Sequence, residues 1–106
     1  MTDKYVLGGE DGHTPLPVED LLEWARWYEA EKGRRTVALT ETESCWISTV
    51  FLGLDHSFGM AGPPLLFETM VFGKDGAEDC ERCSTWDEAV AQHNEIVRRY
   101  VRPGQR

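Results

Sequence analysis

The sequence predicts an α+β fold, an antiparallel β-sheet of four to five strands with two helices in the order β-α-β-β-β-β-α. Three observations carry that expectation. Residues 17–32 and 85–102 recur in apolar side chains at helical spacing. Between them, residues 34–42, 45–52 and 65–72 are rich in β-branched and aromatic side chains, and a polar segment at 77–83 follows a Gly-rich turn. A run of strands bracketed by helices suits helices laid on an antiparallel sheet.

Taken in order, Tyr5-Val6-Leu7 reads as a strand, and residues 8–17 as a loop punctuated by Gly, Asp, His and Pro. Pro17 can open a helix, because the first turn requires no amide hydrogen there, and Glu19 and Asp20 then lie near the positive end of its dipole. Val18, Leu21, Leu22 and Ala25 form its apolar stripe, with Trp24 and Tyr28 at the edge and Lys32-Gly33 at its end. Trp27 lies roughly opposite Val18, in line with Asp20, Glu23 and Glu31. Either the first strand or its loop folds over this indole, or Trp27 and Glu23 stand in an acidic row as an anchor for a basic partner.

Strands over 34–42 and 45–52 meet at the polar turn Thr42-Glu43-Ser44. The strand over 77–83 is an edge strand whose charges discourage pairing with other chains. Thr85 caps the last helix and Glu88 completes a capping box. Trp86, Ala89, Val90, His93, Ile96, Val97 and Tyr100 share one face; Arg98, Arg99 and Arg102 suit its negative end. Pro103-Gly104 stops it, and residues 103–106 read as a frayed tail of a single domain spanning 1–106.

The centre of the chain is the pair of apolar strands within residues 50–72, joined by a glycine-rich loop at 53–64. A loop on a rigid scaffold is a favoured place for contacts, so Asp55, His56, Ser57, Phe58 and Met60 are candidate partner-binding residues. Along 65–72, Leu65, Phe67, Thr69 and Val71 point one way, and Leu66, Glu68, Met70 and Phe72 the other. Both rows are mostly apolar. Either the helices lie on opposite sides of the sheet or a second molecule, a homodimer mate or a host partner, covers one face.

The chain of 106 residues is 41% hydrophobic and 28% charged, which suits one folded domain with a modest core. Its net charge of −8 repels a phosphate backbone, disfavours direct nucleic-acid binding and attracts basic protein surfaces. The same acidity also admits a nucleic-acid mimic. The N-terminus has no basic segment followed by an apolar run, no stretch is apolar enough to cross a bilayer, and three cysteines fit reduced thiols; together these suggest a cytoplasmic protein without a membrane partner.

Cys80 and Cys83 have the spacing of a zinc-binding pair, but four ligands are needed and only Cys45, His13, His56 and His93 remain to supply the others. Residues three apart on a strand also point to opposite faces. His93 within an apolar stripe reads as a hydrogen-bonded core residue; facing Asp55 or Glu68 it would instead form a proton-transfer couple. No Ser or Cys nucleophile with an oxyanion motif accompanies Asp55 and His56. No catalytic residue, metal or cofactor is therefore assigned; the alternative is a small metal protein or hydrolase using His56 or His93 with Asp55 or Cys80 and Cys83.

The stretches STVFLGLDHSFG (48–59), GPPLLFETMVFG (62–73) and STWDEA (84–89) resemble a family of small proteins encoded by tailed phages and prophages. The resemblance covers roughly the second half of the chain closely and residues 22–28 loosely. It departs at Cys83, where the family pattern ends in an aromatic residue. It implies phage origin and action inside an infected or lysogenic bacterium, and it transfers no reaction. The resulting expectation is a non-catalytic accessory protein acting by protein binding, in its most specific form an anti-defence inhibitor of the anti-CRISPR type.

Overall fold

The computed structural model describes residues 2–101. Strand β1 (Tyr5–Gly8) pairs with β2 (Thr14–Pro17) as a small hairpin, and helix α1 (Leu21–Ala30) and a short 3-10 turn (Gly33–Arg35) follow. Then come β3 (Thr36–Glu41), β4 (Trp46–Phe51), β5 (Phe67–Gly73), β6 (Gly76–Cys83) and α2 (Trp86–Tyr100). The four later strands form one antiparallel sheet in sequence order, so the fold is α+β as expected.

Strand β2 is an addition to the expected order. Its sequence, Thr14-Pro15-Leu16-Pro17, reads as a loop, because prolines remove ladder donors. The amide of Val18 donates to the Lys4 carbonyl at 2.8 Å, so alternate amides face β1 while Pro15 and Pro17 present their missing N–H groups to the outside. An edge strand tolerates that arrangement.

Helix α1 also differs from expectation. It begins at Leu21 rather than Pro17, with Asp20 as its cap accepting from the Glu23 amide at 2.9 Å. Leu21 and Leu22 face solvent, 62% and 66% exposed, and the docked face is Trp24, Trp27 and Tyr28. Three aromatic rings bury more apolar area than two leucines, so they set the helix's rotation. Trp27 is half-buried, its ring edge-on to Phe51 at 5.9 Å. It belongs to the core, which removes it as an exposed anchor; Glu23 stays exposed beside the cap.

The core lies between the sheet and α2. Alternation is sharp: Ile47, Thr49 and Phe51 of β4 and Phe67, Thr69 and Val71 of β5 are fully buried under Ala89, His93, Ile96 and Val97 of α2. Leu66, expected on the opposite face, is buried with Phe67, because regular strand geometry starts only at Phe67. The capping box of Thr85 and Glu88 is present in full. Arg102 and the expected frayed residues 103–106 lie outside the described residues. Among those described, no helix is long and apolar enough to cross a membrane.

Candidate functional site

The loop at 53–64 is held at its base by three other segments. Gly53 takes a φ of +77°, and a Cβ there would lie 2.9 Å from the Tyr28 ring, so only glycine lets α1 dock this closely. Its carbonyl accepts from the Tyr5 amide at 2.8 Å and from the Trp24 indole N–H at 3.0 Å. Two residues on, the Asp55 amide donates to the Asp3 carbonyl at 2.8 Å. The start of the loop is thereby bound to both β1 and α1.

Asp55 then ties the two arms together. Its Oδ1 accepts from the amides of Ser57 and Leu65, each at 2.9 Å, and its Oδ2 from the Ser57 hydroxyl at 3.0 Å. The His56 amide adds a bond to the Leu65 carbonyl at 2.9 Å. Burial alone would raise the Asp55 pKa, but these donors favour the carboxylate and hold it below its ordinary 3.8. Beyond this neck the backbone turns through positive φ at Phe58, Gly59 and Gly62, with the Met60 amide on the Ser57 carbonyl at 3.1 Å. Phe58 and Met60 stand 78% and 77% exposed at the tip.

Asp55 and His93 are engaged in structural hydrogen bonds, and His56 is engaged through one ring nitrogen. Asp55 spends its oxygens on Ser57 and Leu65, while His56 Nδ1 donates to the Leu54 carbonyl at 2.8 Å. His93 faces neither Asp55 nor Glu68. Its Nδ1 lies 2.8 Å from Thr49 Oγ1 and its Nε2 2.9 Å from Thr40 Oγ1. The direction of this buried chain follows from one carbonyl. Gln92 Nε2 donates to the Arg82 carbonyl at 3.3 Å, so Gln92 Oε1 accepts the Thr69 hydroxyl at 3.0 Å. Thr49 must then donate to Thr69 at 2.6 Å, His93 Nδ1–H to Thr49, and Thr40 to Nε2. A neutral imidazole satisfies every member, and burial lowers the His93 pKa.

Strand β6 places Cys80 beside Met70 on the outer sheet face and Cys83 beside Phe67 on the inner one. Burial, reinforced by the nearby Glu88 carboxylate, pushes the Cys83 thiol up to about 11, far from a thiolate at neutral pH. Among the described residues no three His, Cys, Asp or Glu side chains gather where they could hold a metal ion.

The second sheet face, which the sequence left either to a helix or to a second molecule, is the other surface of interest. Every described packing contact of α2 falls on the inner face of the sheet, and α1 packs on β1. The outer rows, Trp46, Ser48 and Val50 of β4 with Glu68, Met70 and Phe72 of β5, contain no buried residue. Thus the option of helices on opposite sides does not occur, and among the described residues no helix covers this face. Trp46 is 50% exposed and edge-on to Phe72 at 5.5 Å, with Leu39 of β3 53% exposed on the same face. The alternation of Trp46, Ser48 and Val50 with Ile47, Thr49 and Phe51 was the available signal.

The chain matches no protein-family profile, no curated protein and no solved structure.

Proposed function

We propose that this chain is a small non-catalytic binding protein that engages a partner protein through the tip of the 53–64 loop. The single observation that carries the reading is a pair of large apolar side chains, Phe58 and Met60, left in solvent on a loop whose neck is tied by Asp55. Apolar anchors dominate binding energy when they enter a partner's pocket, and a loop ordered beforehand loses little entropy on docking. His56, its ring 5.4 Å from Phe58, and Ser57 lie at the shoulder of the same surface.

The resemblance of the second half to phage-encoded proteins supports a phage origin and a site of action in the bacterial cytoplasm, with a host defence protein as the specific form of partner. The experiment is affinity capture from bacterial lysates, uninfected and phage-infected, with the wild type and a Phe58→Ala/Met60→Ala variant. A partner retained by the wild type and lost from an equally stable variant is the expected result. Equal retention by both, or none from either lysate, overturns the proposal.

A further inference from the structure

We propose a second binding site, independent of the loop tip, in which the groove at the far end of the open sheet face takes a basic segment of a partner protein. The groove lies between the β3–β4 and β5–β6 turns, is shallow and open to solvent with a volume of about 470 Å³, and is lined by Glu41, Glu43, Trp46, Phe72 and Lys74 among others. Register places it away from the loop: Trp46 pairs with Phe72 and Phe51 with Phe67, a separation of about 17 Å along the strands.

Two features select the occupant. The floor is aromatic, since Phe72 braces Trp46 edge-on and half of the indole surface stays open. An exposed indole face attracts a guanidinium or ammonium group through its quadrupole. The rim is acidic as well. Glu41 is the cross-strand partner of Trp46, and neither Glu41 nor Glu43 ion-pairs with a cation of this chain among the described residues. Lys74 is the cation at the rim; Arg82, on the same face, is paired with Glu68 at 2.9 Å. An arginine side chain laid on Trp46 would find carboxylates beside it, the combination that favours Arg over a neutral residue. A second copy of this chain suits the face less well, because it brings the same two glutamates and a net charge of −8.

The test uses a fluorescently labelled six-arginine peptide and the full chain, with binding read by anisotropy at low and moderate salt. Trp46→Ala should weaken binding about threefold or more. Glu41→Gln/Glu43→Gln should weaken it and flatten its salt dependence, while Glu10→Gln/Glu19→Gln, elsewhere on the surface, and Phe58→Ala/Met60→Ala should bind as wild type. Sedimentation should give a monomer. Unchanged binding in Trp46→Ala, or equal losses in both acidic double variants, would reduce the attraction to diffuse charge and overturn the site. A dimer that dissociates in Trp46→Ala would overturn it in favour of a second copy.

Discussion

At the scale of single residues, three positions show how a small domain holds its shape. His93 is buried and neutral, and its pKa is held below 6.5. When the pH falls below 6.5, unfolded chains bind a proton that the folded ring refuses, so stability is complete above that pH and declines beneath it. Urea melts at about pH 8 and about pH 5.5 should show this decline in the wild type and its loss in His93→Leu, which also forfeits about 1–3 kcal/mol by unpairing Thr40 and Thr49. Asp55 carries the opposite sign of argument: its lowered pKa means a contribution present above 3.8 and lost as the pH drops through the folded value. Asp55→Ala should cost about 1–3 kcal/mol and speed amide exchange at Leu65. Gly53→Ala should cost about 1–2 kcal/mol from its left-handed backbone alone, with the Tyr28 contact adding to that, measured by denaturant unfolding.

At the scale of elements, α2 was legible in advance because two local signals agreed: a capping box at Thr85 and Glu88, and a stripe through Ala89, His93, Ile96 and Val97. Thr85→Ala should therefore lower stability by about 1 kcal/mol, read from the unfolding midpoint. Helix α1 was legible as a helix but not in its orientation. Its leucine stripe and its aromatic face compete, and the winner depends on what lies opposite; Phe51, Tyr5 and Gly53 receive the aromatics. The β1–β2 hairpin was half legible, since Pro15 and Pro17 argue against a strand until one knows that their side of the strand faces no neighbour. The bond that closes the neck of the loop, from Leu65 to Asp55, was not legible. Asp55 and Leu65 are far apart in sequence, and their bond exists only because β4 and β5 bring the two arms back together.

At the scale of the whole molecule, one layer of core serves a sheet whose other face has no fully buried residue in its two central strands. Native-state hydrogen exchange should find the slowest amides in β4, β5 and α2, which enclose the fully buried side chains, and earlier opening of the β1–β2 hairpin, whose edge strand is largely exposed. The same one-sidedness leaves the Trp46 groove open at one end of the strands, with the exposed loop tip at the other. By itself the sequence determined the α+β class, the four central strands and the capped final helix, because periodicity, turns and caps act over a few residues. Only the tertiary structure decided which face of α1 is inward, that Asp55 closes the loop and that the sheet's outer row is uncovered, because each depends on which distant segments compete for the same buried area.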